Sequence, residues 1–292
     1  MSTGETGQGL HVAFVGVGRM GSVMLKCVLD GGYHATLCDP SEQALAPFLE
    51  AYPKQVTVAP TPAEASREAD VIEIVVNTNE QLLEACLGAN GVLEGARPGA
   101  VVLVHSTVAH DTLRRLADVA TARGVQLLDA MVSGARGHLS VPDLAVMVGG
   151  EQAAFERAKP VMDTYGGLVL RLGEQGAGLD AKLALNMYRY ICMAAGLEAT
   201  RLADSAGIGE HMGELVAHTH PNRYVGNFAR LGPMQKIPEP ARRKDAVLAQ
   251  KDLRAAIARG ESMGLQMPGA TLAVELMHGL WGVPVESESD KK

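Results

Sequence analysis

The chain has 292 residues, with 33 acidic against 26 basic side chains and a formal net charge of −7. A nucleic-acid partner needs a clustered basic surface, and the only cluster here is Arg242, Arg243 and Lys244, so the balance argues against one. A hydrophobic fraction of 47% beside 20% charged residues describes an ordinary globular protein, and the length suits two modest domains.

The start, MSTGETGQG, has neither a basic segment nor an apolar one, so residues 1–9 read as a flexible tail rather than a signal peptide. No stretch approaches the roughly 18 consecutive apolar residues of a membrane span. Cys27, Cys38, Cys86 and Cys192 lie scattered in apolar segments without metal-like spacing. They read as reduced core residues of a cytoplasmic protein, and no metal site is expected.

From Leu10 to Gly16 the run LHVAFVG is almost wholly apolar, as in a strand covered on both faces of a parallel sheet. Next comes GVGRMG, in which Gly16, Gly18 and Gly21 have the G-x-G-x-x-G spacing, and then a helical segment that ends at a glycine pair. In that spacing the first glycine permits a tight turn, the second lets a pyrophosphate approach the backbone, and the third lets helix pack on strand. The free N–H groups and partial positive charge of a helix start face the phosphates.

The next strand-like run, HATLCD, ends at Asp39, 18 positions after Gly21. An acid there is placed to bond the adenine ribose hydroxyls. No arginine follows among Pro40 to Gln43, so the expected cofactor is NAD rather than NADP. The alternative, a surface aspartate opening a D-P turn, leaves the glycine context without a use.

Further apolar runs follow at intervals, at VTVA near Val56, Val71–Val76, Ala100–Ser106 and Val125–Ala130, with helical stretches between them. That alternation predicts an α/β doubly wound parallel sheet with helices on both faces. Ligands of such sheets lie past the carboxyl ends of the strands, which points to Asn77 and Thr78, to Ser106 and Thr107, and to Asp129–Arg136. Glu73, inside an apolar run, reads as an edge residue or a buried hydrogen-bonded acid. AVMVGG and LVLRLG complete the sheet, and beyond Leu179 the pattern turns helical as far as Met277.

The stretch Leu172–Tyr190 reads as a glycine-rich loop feeding a helix of roughly 28 residues, about 42 Å long. Lys182 and Asn186, four residues apart, share a face of that helix, and Tyr190 falls on nearly the same face as a candidate wall of a substrate pocket. A helix of that length predicts a bridge between two domains. The expected division is a tail over 1–9, a cofactor domain over 10–174, the bridging helix over 175–206, an all-helical domain over 207–283 and a tail over 284–292.

Five segments together resemble the β-hydroxyacid dehydrogenase family, in its 3-hydroxyisobutyrate dehydrogenase-like form. FVGVGRMGSVM looks like the family's cofactor loop, HSTV at His105–Val108 like its Ser-Thr segment, and DAMVSGA at Asp129–Ala135 like its substrate-binding D-A-P-V-S-G-G. GAGLDAKLALN at Gly176–Asn186 matches its catalytic G-x-G-x-x-x-K-x-x-x-N, and QKDL at Gln250–Leu253 falls where the family carries K-D-L.

The resemblance implies an N-terminal Rossmann-type domain, a long interdomain helix and an all-α C-terminal domain that also forms homodimers or homotetramers. It implies oxidation of a small β-hydroxy acid by hydride transfer to NAD, with Lys182 as general acid/base and Asn186 helping to hold the substrate. Ser133 and Gly134 would bind the substrate carboxylate, with Thr107 close by and Lys251 beside both cofactor and substrate. The cofactor would be held by Gly16, Val17, Gly18, Arg19, Met20 and Gly21, by Asp39, by Val76 and Asn77, and by Thr107 and Lys251.

Departures from the family pattern are Met131 for proline, Ala135 for the third glycine, and Arg136 and His138 in the segment that follows. The histidines between His211 and His220 carry no assigned role. A 6-phosphogluconate-dehydrogenase-like enzyme would show K-x-x-H-N-G-x-E-Y, where this chain has Leu185, Met187 and Arg189. An imine-reductase-like enzyme would lack Lys182, and a non-catalytic NAD-binding module would be expected to have lost it.

Overall fold

The computed structural model describes residues 9–134, 143–219 and 238–283. The expected tails, apart from Gly9, lie outside the described residues, as do Ala135, Arg136, His138 and His220. The chain divides into two compact units, Met1–Lys182 and Leu183–Lys292.

The first unit is an eight-stranded sheet in the order β3-β2-β1-β4-β5-β6-β7-β8. Its strands are β1 (His11–Val15), β2 (His34–Cys38), β3 (Val56–Val58), β4 (Val71–Ile74), β5 (Val101–Val104), β6 (Gln126–Ser133), β7 (Leu144–Gly149) and β8 (Gly166–Gly173). The central β4 and β5 are buried at every position, which is why they read as unbroken apolar runs. Between strands lie α1 (Arg19–Asp30), α2 (Glu42–Ala51), α3 (Pro62–Ser66), α4 (Asn79–Leu87), α5 (Val92–Gly95), α6 (His110–Ala122) and α7 (Gln152–Met162). In α6 the buried residues Leu113, Leu116, Ala117 and Ala120 form the i, i+3, i+4, i+7 stripe of a helix lying on a core.

The first six strands are parallel, but β7 runs antiparallel to β6, pairing Asp129 with Gly149 and Ser133 with Ala145. The connection between them is too short for a helical crossover, so the chain has to double back. Helix α7 then crosses over, and β8 returns parallel to β7. The sheet is therefore doubly wound and mostly parallel, with a reversed pair at one edge.

Helix α8 (Ala177–Ser205) starts in the first unit and runs into the second. The second unit is helical, with α9 (Gly209–Thr219), α10 (Glu239–Ser262) and α11 (Pro268–Trp281). Along α10 the buried Ala246, Ala249, Leu253 and Ala256 are mostly small, so the helix packs closely against Ala270, Ala273 and Met277 of α11. Arg242 reaches across to the carbonyls of Trp281 and Gly282 and satisfies the end of α11. Tyr190 differs from its expected place on a pocket wall: its ring is buried in this helical core with Met193, Leu253 and Met277. No helix among the described residues is long and apolar enough to cross a membrane.

Candidate active site

The three glycines after β1 do different things. Gly16 has φ of +95°, and a Cβ there would stand 2.3 Å from the Val75 carbonyl oxygen. Gly18 faces open space, with nothing within 4 Å of where its Cβ would be. At Gly21 a Cβ would meet the Gly16 carbonyl oxygen at 2.2 Å. Turn, open approach and tight helix–strand contact are thus each present where the spacing requires them. No side chain caps the start of α1 at Gly18 and its first turn holds no acid, so the region fits an incoming pyrophosphate. Arg19 and Met20 open α1 beside it.

Asp39, at the carboxyl end of β2, accepts the Val17 amide at 2.6 Å through one oxygen and the Ser41 amide at 2.8 Å through the other. It therefore fixes the glycine loop to its neighbouring strand. Past β4 and β5, the Ser106 hydroxyl donates to the Val76 carbonyl at 2.7 Å and lies 3.2 Å from the Val76 amide. That clasp ties two strand ends together beside the half-buried Thr107 and the exposed Asn77. Sequence reasoning singled out both Ser106, as a strand-end residue, and Val76, as a cofactor contact, but not the bond between them.

The third group of residues joins β6 to the start of α8. The Lys182 ammonium donates to the Val132 carbonyl at 2.7 Å. Ser133 and Gly134 are the next two residues of the same strand end, and Gly134 has φ of +106°. Asp129, fully buried on β6, accepts the Gly176 and Leu179 amides, both at 2.8 Å. Burial pushes its carboxyl above the ordinary value, while those amide hydrogen bonds pull it back down. At the helix start, His110 Nε2 lies 2.9 Å from Asp180 Oδ1. The D-A-M-V-S-G-A motif points to this strand, but it gives no sign that the aspartate bonds the start of the helix.

In the helical unit, Asn186 is buried and donates through Nδ2 to Asp252 Oδ2 at 2.7 Å. Since a carboxylate only accepts, that contact fixes which way the carboxamide faces. The neighbouring Lys251 ammonium lies 3.7 Å from the other Asp252 oxygen. Sequence reasoning passed over Asp252, although it stands inside the quoted QKDL. His211 and His218 are exposed on α9.

A doubly wound sheet with a glycine loop at the β1 end and an acid closing β2 defines a Rossmann-type dinucleotide-binding protein. Comparison with known proteins carries this further. Residues 11–173 match the family described as the NAD binding domain of 6-phosphogluconate dehydrogenase. The chain is 33% identical over 283 residues to an uncharacterised oxidoreductase of Mycobacterium tuberculosis, covering 94% of each. It is 28% identical over 271 residues to the 3-hydroxyisobutyrate dehydrogenase of Pseudomonas aeruginosa, covering 91% of this chain and 90% of that one. Among solved structures, the 3-hydroxyisobutyrate dehydrogenase of Salmonella typhimurium superposes with a TM-score of 0.79 at 27% identity, over 92% of this chain and 93% of that one. The chain belongs to the β-hydroxyacid dehydrogenase family, and it is an NAD-binding oxidoreductase.

Proposed function

We propose that the protein oxidises a small β-hydroxy acid, of the 3-hydroxyisobutyrate kind, to its semialdehyde or keto acid, using NAD in preference to NADP. The observation that carries this reading is the 2.7 Å contact between Lys182 and the Val132 carbonyl. It puts an amine beside Ser133 and Gly134, whose polar backbone and hydroxyl suit a substrate carboxylate. In its neutral form Lys182 takes the hydroxyl proton as the carbonyl forms. Bound NAD supplies the acceptor for the hydride released from carbon.

Ser133 and Gly134 hold the carboxylate, Thr107 lies at the neighbouring strand end, and Asn186 and Lys251 take the substrate and cofactor roles that the family resemblance implies. The backbone from Gly16 to Gly21, with Val76 and Asn77, holds the dinucleotide. Asp39 accepts ribose hydroxyls and repels a ribose phosphate, which supports the preference for NAD. Exposed apolar residues of the helical unit, among them Leu202 at 73% and Leu272 at 54%, support a homodimer or homotetramer built through it. Four free cysteines suit a cytoplasmic setting.

The test is to incubate the purified protein with NAD and a panel of 3-hydroxy acids, following absorbance of the reduced cofactor, with Lys182→Ala alongside. Loss of a general base predicts a fall in kcat of roughly 10²–10⁴-fold. Equal rates for the two proteins would overturn the role of Lys182. Tight NAD binding without turnover of any acid would point instead to a non-catalytic module. A parallel series with NADP tests Asp39, and faster turnover with NADP contradicts its role.

A further inference from the structure

Asp129 is a fully buried carboxylate that the reaction does not use directly. Its two oxygens accept the amides of Gly176 and Leu179, which bracket the beginning of α8. A helix start leaves its first amides without partners inside the helix, and a carboxylate there both satisfies them and complements their partial positive charge. Helices α2, α3 and α4 receive this service locally, from Ser41, Thr61 and Thr78 immediately before their first turns. For α8 the acceptor comes instead from a strand 47 residues earlier in the chain.

The surroundings are shaped for that contact. Asp129 pairs across the sheet with Gly149, where a Cβ would stand 2.6 Å from Asp129 Oδ1 and 2.7 Å from the Ala177 amide nitrogen. At Gly178 a Cβ would meet the Met147 carbonyl oxygen at 2.4 Å and the Asp129 carbonyl oxygen at 2.5 Å. Gly176, with φ of +96°, makes the turn that presents its N–H to the carboxylate. Gly149 and Gly178 therefore bring the helix start closer to β6 and β7 than any side chain would allow, and the positive φ of Gly176 supplies the turn between them.

Lys182 lies three residues after Leu179, about 4.5 Å further along the helix axis. Its ammonium is held by the Val132 carbonyl, three residues after Asp129 on the same strand. One strand thus grips α8 twice, through a side chain at the helix start and through a carbonyl at the lysine, and leads directly into Ser133 and Gly134. We propose that Asp129 is a positioning residue: its carboxylate fixes the start of α8 against β6 and so sets Lys182 at its working distance from the substrate-carboxylate loop. This inference rests on the reading of Lys182 as the acid/base. A shift of about 1 Å in a reacting group typically costs on the order of 10²-fold in rate, so the clamp acts on kcat rather than on cofactor binding.

The test uses the full-length protein as Asp129→Asn, Lys182→Ala and the double variant, with the same hydroxy-acid assay and NAD affinity measured by fluorescence titration. In Asp129→Asn an amide NH2 replaces one acceptor and faces a backbone N–H. The expected result is a fall in kcat of about 10–100-fold with NAD affinity within about twofold of wild type. In the Lys182→Ala background the same change should alter the residual rate by less than about twofold, because residues acting as one unit are not additive. An aspartate that only stabilised the fold would lower both backgrounds alike. Asp129→Asn turning over at the wild-type rate, or losses that multiply in the double variant, would overturn the clamp while leaving Lys182 as the base. Lys182→Ala at the wild-type rate would instead overturn the underlying reading. If Asp129→Asn does not fold, Asp129→Ser, which keeps one acceptor without the charge, is held to the same two criteria.

Discussion

Replacing Glu73 by alanine removes the centre of a buried polar network in the α/β unit. Glu73 lies on β4, and both it and His105 have fully buried side chains in contact through Oε2 and Nε2. His105 Nδ1 bonds the Ala130 carbonyl, which can only accept, so Nδ1 carries a proton and Nε2 faces the Glu73 carboxyl. The hydroxyl of the buried Tyr165 donates to Glu73 Oε1 at 3.1 Å. Burial, and then the neighbouring Glu73, pushes the Tyr165 phenol far above its ordinary value, so it remains a donor throughout the working range. Every polar atom is satisfied as the network stands. In Glu73→Ala, His105 Nε2 and the Tyr165 hydroxyl both lose their partner, at about 1–3 kcal/mol each, in line with the ~3–5 kcal/mol usual when one member of a buried ion pair is deleted. Against a total stability of ~5–15 kcal/mol this is a large share. With a urea m-value of about 2 kcal/mol/M, the midpoint falls by roughly 1.5–2.5 M. Far-UV circular dichroism reads this loss; Trp281, the one tryptophan of the chain, stands in the helical unit, and its fluorescence follows that unit. Replacing the whole network, as Glu73→Leu, His105→Leu and Tyr165→Phe together, should recover most of the loss, because a buried charge network exchanged for apolar residues is often neutral. A shift below about 1 kcal/mol in Glu73→Ala, or a triple variant as unstable as the sum of its parts, would refute the reasoning.

At the opposite, amino-terminal end of β4, Asp70 accepts the His11 amide at 3.1 Å and the guanidinium groups of Arg97 and Arg157 at 2.8 and 2.9 Å. Burial alone would raise its carboxyl, but the His11 amide and the two arginines outweigh that and hold it below the ordinary value. The stabilisation is therefore complete above about pH 4 and is lost as pH falls through the folded-state value. Asp70→Asn should cost about 1–2 kcal/mol at pH 7, discounted because both arginines are nearly half exposed, and the gap should close in acid. A constant gap from pH 7 to pH 3 in urea titrations would contradict this. Burial pushes the Cys86 thiol up to about 12. Cys86 should therefore stay unlabelled by a thiol reagent at pH 8 until denaturant is added, and labelling of the native protein at that site, seen by peptide mass spectrometry, would count against it.

Legibility in the sequence followed the range of each interaction. The glycine loop is local: an apolar run, three glycines at fixed spacing and an acid closing the next strand are enough to specify it, and Gly16, Gly18 and Gly21 behave as that spacing requires. The reversal of β7 follows from a connection too short for a helical crossover, but that shortness shows only once the ends of β6 and β7 are fixed, and apolar runs alone do not fix them. Glu73 was visible as an odd acid in an apolar run, but its partners stand 32 and 92 residues away. Tyr190 shares a helix face with Lys182 by periodicity, and periodicity does not say what covers each turn of that face. The sharpest case is the segment before α8. Gly173, Gly176 and Gly178 read as a glycine-rich loop leading into the helix, because glycine is the common residue wherever the chain needs freedom. Gly178, however, is a place where the backbone touches β6 and β7 so closely that no side chain fits. Looseness and close contact use the same residue type for opposite reasons, and only the partner across the gap, here Asp129, separates them. The glycines that let the α1 start approach a cofactor and those that press the α8 start onto a carboxylate are one device used twice: a helix start, bared of side chains, is brought up to negative charge.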